Sequence, residues 1–500
     1  MSTYTDQDLK LQKELYQKVG KKTTYTYQSH AFRNQTLHQA VIHSTSPQNI
    51  FRVLEKNETF NFNTETIKWQ DTDGETRELT INRASKTDMW PMGTNYWVRD
   101  NALIASSLLN LDYTKNIFPQ EWFLLGKNLL LSCLTIMSST AQLERFASII
   151  DGSKSYTEAI HWPHIFLSIK DNLNAAHDEA WMHKQDAWQI LCYIALDALE
   201  KKLITEDELT SKHTQLLHSI CPFLNAVQFT QTDNAGSWEE ITAIRTSVIS
   251  WETALLHKVT QSKTFSHPDA ESLFQQGLQT LKNNFPHESP NYPAKDTRYR
   301  SADAALLYPL LIELYLHFPE AEQPNIIDSL LSQIESLIGP YGINRYQGDS
   351  YQGLSYYTNS VSSQLRDLYQ SPSGDSSDES QFLHRAAIVP PGHEAQWTHF
   401  VWQLSSAYSK LCKNFPNNPT YPIKQNHYFL KGLSLITGED EWTLTETNHH
   451  TMQVSSVPSF RIPECYNSEI YNTHIFQYPS LHTPLYWSVA ECISAFNHRL

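Results

Sequence analysis

Several short stretches of the sequence put charged groups where they could move protons or hold hydroxyls. Trp238-Glu239-Glu240 sets two adjacent carboxylates behind an indole at a loop-to-helix junction. An apolar neighbour and a like charge both raise a carboxyl's pKa, which is what a general acid for glycosidic cleavage needs near neutrality. The same tripeptide is also an ordinary acidic helix start, favoured by the helix dipole. Glu464, which follows Pro463 in a loop, is the second candidate carboxylate. It could hold a water on the far face of a sugar ring, and inverting hydrolysis needs about 6.5 to 9.5 Å between the two carboxyl groups. Trp97-Val-Arg-Asp100 brings Arg99 and Asp100 side by side, a donor and an acceptor for sugar hydroxyls, or equally a buried ion pair at a helix start. Arg345-Tyr346, followed by Asp349 and Tyr351, offers a second guanidinium and stacking rings. Trp90, Trp162, Trp181 and Trp397 are either platforms for sugar faces or large rings filling an interior.

The elements that must carry these residues are helical. Leu307, Leu310, Leu311, Leu314, Tyr315 and Phe318 form one apolar stripe, and Trp397, Phe400, Val401, Leu404, Tyr408 and Leu411 another. Successive segments pair as hairpins: 96–109 with 120–138, 178–200 with 205–227, 241–259 with 267–284, 301–318 with 324–338, and 394–413 with 421–436. Thr205 and Glu208 form a capping box. The last helix, 484–498, has no partner after it, and an amphipathic segment at 27–43 has none before it, so joining the two closes a ring. The predicted fold is therefore all-α, an (α/α)6 toroid, spanning 86–500. Residues 1–85 are expected to form a short N-terminal appendage containing the closing helix and a β-hairpin around Asp73-Gly74. The loops before the first helix of each pair fall on one rim and hold the unusual residues, as expected of sites carried on a rigid scaffold. An insertion at 357–393 lies on that rim, either as a lid or as a disordered excursion.

Six of these stretches occur in an order that resembles glycoside hydrolase family 15, the glucoamylase family. They are Trp97-Val-Arg-Asp100, Lys184-Gln-Asp-Ala187, Trp238-Glu-Glu240, Gly342-Ile-Asn-Arg-Tyr346, Pro463-Glu464 and Pro484-Leu-Tyr-Trp-Ser-Val-Ala490. The resemblance covers about 88–498 and implies an (α/α)6 barrel that releases glucose from non-reducing ends with inversion. It implies Glu239 as general acid, Glu464 as general base and Glu240 as a substrate ligand. Arg99, Asp100 and Arg345 would hold the sugar in the first subsite, with Trp97, Trp181, Gln185, Asp186, Trp238 and Tyr346 lining it. The family usually separates the glutamine and aspartate by one residue, whereas Gln185 and Asp186 are adjacent. Cys465 follows Glu464 where glutamine is frequent, which is closer to the family-15-like region of phosphorylase kinase α and β subunits. A catalytically silent glucan-binding or regulatory protein is therefore the alternative.

Composition excludes several other classes. The chain has 500 residues, 38 lysines and arginines against 53 aspartates and glutamates, and a net charge of −15, which argues against nucleic acid or anionic membrane as a partner. An oligosaccharide or glucan is the expected partner. No secretory signal is legible in residues 1–22, no apolar stretch reaches membrane-spanning length, and six widely spaced cysteines read as reduced thiols, so a cytoplasmic location is the expectation. His393-Glu394 with His399 misses the zinc-helix spacing, Gly348 to Gly353 misses the nucleophile-elbow spacing, and no phosphate loop or dinucleotide fingerprint occurs. No metal or organic cofactor is expected.

Overall fold

The computed structural model describes residues 6–19, 32–44, 46–85, 95–175, 184, 186–296, 298–353, 389, 392–446 and 452–500. Its centre is a closed ring of helices. Val98–Leu109, Ala187–Glu200, Thr246–Gln261, Tyr308–Leu311, His399–Asn414 and Tyr486–Asn497 each touch the next, and the last touches the first. The long members are buried on nearly every side, as in Val98 to Ala105 and Thr246 to Leu256. They accordingly show no single apolar stripe, and charged residues within them such as Arg99, Asp100 and Glu252 are buried with the rest.

An outer layer of amphipathic helices covers this ring: Gln120–Met137, Ala270–Asn284, Gln323–Glu335 and Thr420–Ser434, each burying one stripe. Close approach of the two layers depends on glycine. A Cβ at Gly277 would lie 2.2 Å from the Thr253 hydroxyl, and one at Gly432 would lie 2.7 Å from the Trp402 ring. Closure of the ring falls later than expected. Phe51 of helix Pro47–Lys56 packs edge-on against Phe496 of the last inner helix at 5.5 Å and against Phe118 at 5.2 Å, so this helix follows the 27–43 segment and does its work.

Two of the expected helices are broken. The stripe from Leu307 to Phe318 is buried as predicted, but its backbone runs as a 3-10 turn, the short helix Tyr308–Leu311 and a second 3-10 turn, with Glu313 in the left-handed region at φ 56°. Pro309 lacks the amide that a continuous helix would use. Residues 205–227 divide into a 3-10 turn, Ser211–His218 and Ile220–Ala226, because Pro222 cannot bond back to His218. The Thr205–Glu208 capping box is present, but it caps only the 3-10 turn.

β-structure exceeds the expectation of one hairpin. Strands Thr64–Gln70 and Thr76–Asn82 pair around Asp73-Gly74 as expected. A five-stranded antiparallel sheet also runs in the spatial order 474–479, 465–471, 396–397, 342–343, 338–339. Strands Glu441–Glu446 and Met452–Val457 form a further hairpin. Cys465 to Glu469 are buried at successive positions, so the period-2 alternation that marks a half-buried strand is absent from them. All six cysteines are free thiols, five buried and Cys412 half-buried. Among the described residues no single helix is long and apolar enough to cross a membrane.

Candidate active site

The charged motifs meet at the N-terminal ends of the inner helices. Arg99 and Asp100 occupy the first turn of helix 98–109 and are both buried. Their turn is fixed from below: Asn101 Nδ2 donates to the Asn82 and Trp97 carbonyls, each at 3.0 Å, and Asn101 Oδ1 accepts the Asn82 amide at 2.8 Å. Trp97 precedes them on a three-residue strand, with its ring packed on Phe166 at 4.3 Å. Arg99 donates to Glu239 at 2.9 Å and to Asp186 at 3.3 Å, and its Nε lies 4.0 Å from Asp100. Asp186, at the head of helix 187–200, also accepts the Ser237 hydroxyl at 2.5 Å. One guanidinium thus serves three carboxylates.

Glu239 and Glu240 are consecutive yet have different partners. Glu239 ends the 3-10 turn Gly236–Trp238 in the left-handed region at φ 60°, a conformation that costs a non-glycine residue on the order of 1–3 kcal/mol. Its carboxylate meets Arg99, whereas Glu240 accepts from Arg345 at 2.9 Å, the Tyr346 hydroxyl at 2.6 Å and Arg300 at 3.4 Å. Arg345 is also bound in a fork to Asp349 by two contacts of 2.6 Å. Four rings surround its guanidinium: Tyr351 at 5.0 Å, Trp397 at 5.2 Å, Trp238 at 5.4 Å and Tyr346 at 5.7 Å. Trp238 is held by its indole N–H, which donates to Asp303 at 2.9 Å, while Asp303 accepts from Arg300 at 3.0 Å.

Glu464 arrives on the small sheet. Cys465 pairs with Trp397, the Glu464 amide donates to the His482 carbonyl at 3.0 Å, and the Thr398 amide donates to the Glu464 carbonyl at 3.2 Å. Its carboxylate accepts a hydrogen bond from Gln352 Nε2. Gln352 is fully buried in the left-handed region at φ 58°, and its Oε1 accepts from the Cys465 thiol at 3.4 Å.

Burial makes this site proton-rich. It pushes Glu239 up to about 7, with the Arg99 charge opposing and the Asp100 and Asp186 charges adding. It pushes Glu464 up to about 8, with Gln352 and Arg345 opposing and Asp100 and Glu239 adding. Asp100 rises to about 6 for the same reason, against the pull of Arg99. Glu239 and Glu464 therefore lie within reach of each other's field. After desolvation, the strongest like charges on Glu239 are those of Asp100 and Asp186, two carboxylates distant in sequence. Arg99, Arg345 and Arg300 stay charged although burial opposes it, because their carboxylate partners outweigh the desolvation.

The structure thus gathers Trp97, Arg99, Asp100, Asp186, Trp238, Glu239, Glu240, Arg345, Tyr346 and Glu464, while Trp181, Gln185, Trp90 and most of 357–393 lie outside the described residues. Trp162 is a core ring: it is 2% exposed, with its N–H on the Tyr156 carbonyl at 2.7 Å. Trp397 does line the site. Gln352, Ser237, Arg300 and Asp303 were not legible as site residues. The last two show only an i,i+3 charge pair, and Gln352 carries no local signal. Among the described residues no group of three or more His, Cys, Asp or Glu is arranged to hold a metal ion.

No family model and no curated protein matches the sequence. Solved structures do match. A point variant of a glycosidase superposes with a TM-score of 0.52 at 11% identity over 92% of this chain and 96% of its own. A second variant, described as a glycosidase in complex with glucose, gives the same TM-score, identity and coverage. The family 15 glucoamylase from Hypocrea jecorina aligns with 84% of this chain and 67% of its own at 13% identity and a TM-score of 0.48. The chain, a mostly helical toroid, shares its fold with the two glycosidase structures that superpose at 0.52.

Proposed function

We propose that the protein is an inverting, exo-acting glycoside hydrolase that releases glucose from the non-reducing ends of α-linked gluco-oligosaccharides or glucan. The observation that carries this reading is the pairing of two carboxyl groups of raised proton affinity, half-buried Glu239 and buried Glu464, beside buried arginines. In this reading Glu239 gives its proton to the glycosidic oxygen as the C1–O bond breaks. A water attacks C1 from the opposite face, and Glu464 takes the proton that water loses. Arg99 and Asp100 hold hydroxyls of the terminal sugar, with Asp186 fixing Arg99. Arg345, Glu240 and Tyr346 form a second hydrogen-bonding wall, and Trp238 and Trp397 supply ring faces. Trp97 and, outside the described residues, Trp181 and Gln185 complete the proposed lining.

Proton NMR with maltose, isomaltose, trehalose and maltoheptaose tests the reading. The expected result is β-glucose appearing first, with the signal lost in Glu239→Gln by about 10²- to 10⁴-fold in rate. A first product of α-glucose from maltoheptaose would refute inversion; trehalose tests turnover alone, because its leaving glucose keeps the α configuration. The catalytically silent, glucan-binding alternative draws on Glu464 being protonated at neutral pH in the resting state. It predicts oligosaccharide binding heat in a calorimetric titration, with no glucose formed from any of the four sugars.

A further inference from the structure

Gln352 is joined at once to the proposed base and to the next residue of the chain. Glu464 sits at a bend immediately before strand 465–471, and Cys465 opens that strand opposite Trp397. Successive side chains of a strand point to opposite faces, so the bend is what lets these two neighbours reach one group. Gln352 Nε2 donates to Glu464 Oε2, and Gln352 Oε1 accepts from Cys465 Sγ at 3.4 Å. The thiol proton is divided between that oxygen and Asn467 Oδ1, also at 3.4 Å. Gln352, Cys465 and Glu464 are 0%, 0% and 3% exposed, so bulk water does not compete for these contacts.

A carboxamide has nearly the same shape either way round. Packing fixes the place of the Gln352 side chain, carried on its left-handed turn at φ 58°, without choosing which end of the amide faces Glu464, because the last torsion of a glutamine is broad and roughly two-fold. Hydrogen-bond partners choose instead. Turned as it is, the amide donates to Glu464 and favours the carboxylate, the form a base must reach; turned over, it would present Oε1 and favour the protonated acid. An ionised Glu464 enforces the first arrangement by itself, but a protonated one accepts either, and Glu464 at about 8 is protonated at neutral pH in the resting state. Cys465 decides at that point. Burial and the Glu464 charge hold its thiol well above the ordinary value, so the sulfur keeps its proton and remains a donor that matches an amide oxygen. Against a turned amide it would offer only a weak acceptor. The other charges facing the pair are Arg345, Asp100 and Glu239 around Glu464, and Asp349 and Arg345 around Cys465.

We propose that Cys465 is a positioning residue for Glu464: its thiol proton orients the Gln352 carboxamide so that the amide N–H, and not the carbonyl, faces the carboxylate. The inference rests on the reading of Glu464 as general base, but the orientation it assigns is measurable without turnover.

Carbon-13 NMR of protein labelled at the glutamate δ-carbons reads the Glu464 titration directly, its resonance being the one absent from Glu464→Gln. Cys465→Ala removes the donor and leaves the facing charges in place, and it is expected to raise the Glu464 midpoint by about half a unit to one unit. Cys465→Ser restores a donor and is expected to titrate with the native protein. In a Gln352→Met background Cys465→Ala is expected to change nothing, because no amide is left to orient. Cys465→Val serves as the donor-free variant if the alanine one does not fold. Equal midpoints in the native protein and the donor-free variant, a serine variant that shifts as far as the donor-free one, or a shift that persists undiminished in the Gln352→Met background overturns the proposal. On maltoheptaose the raised midpoint should lower kcat/KM below pH 7 by about three- to tenfold. A midpoint that moves as expected while the rate profile does not would count against Glu464 as the base and leave its positioning by Cys465 standing.

Discussion

Replacing Gln352 by methionine keeps the side-chain length and removes the hydrogen bond to Glu464. Because Gln352 donates to that carboxylate, the bond favours the ionised form, and its loss raises the pKa of Glu464 further above about 8. A hydrogen bond to a charged group contributes about 1.5–3 kcal/mol, and about 1.36 kcal/mol corresponds to one pKa unit, so the rise is about one to two units. The proposed mechanism needs Glu239 protonated and Glu464 ionised, the reverse of their intrinsic order of about 7 and about 8. At about pH 7.5 each group is in the required form in about a quarter of molecules, and both are in about one in sixteen. The native profile of kcat/KM against pH should then be a bell with limbs near 7 and 8. In Gln352→Met the acid limb stays where it is, the alkaline limb moves up by one to two units, and kcat/KM below pH 7 falls about tenfold per unit. At high pH the two proteins converge, because Glu464 is ionised in both. Initial rates on maltoheptaose across pH 5 to about 11 measure this, with a thermal melt to establish folding. An equal loss at every pH, or movement of the acid limb instead, would refute the reasoning.

Glu464→Gln should be more stable than the native protein by a margin that depends on pH. The Glu464 pKa is raised in the fold, so the native protein loses stability as pH rises from its unfolded value of 4.5 through about 8. The margin is expected to open over that window and level off above it, on the order of a few kcal/mol, and denaturant midpoints at pH 5, 7 and 9 would reveal a flat difference if the sign is wrong. Glu240→Gln leaves buried Arg345 and Arg300 short of a charge partner and should cost about 3–5 kcal/mol of stability, read from thermal unfolding, together with a raised KM. Gly277→Ala drives a methyl into the Thr253 hydroxyl, 2.2 Å away, and should destabilise by about 1–3 kcal/mol; adding Thr253→Ala should recover most of that loss, and no recovery would mean the layers are not in contact there.

The toroid was readable because its signals are local. Helices such as 270–284 and 420–434 carry their apolar stripes in consecutive residues, and the hairpin carries its Asp73-Gly74 turn, where Gly74 adopts φ 86°. The breaks at Pro222 and Pro309 were also written in the sequence, but the continuous stripe outweighed them. The strand at 465–471 was not legible, because residues buried on both faces lose the alternation that announces a strand.

The carboxylates and arginines of the site were legible as types in motifs; their partners were not. Residue chemistry alone named Arg99, Glu239, Arg345 and Glu464 as candidates. Only the tertiary structure decided that Glu239 and Glu240 meet different guanidiniums, that Asp100 and Asp186 supply the field that raises Glu239, and that Gln352 holds Glu464 from 112 residues away. The reason is the range of the forces. Periodicity and capping act over a few residues and leave their mark in sequence, whereas desolvation and Coulomb interactions depend on which distant groups the closed ring brings within a few ångströms.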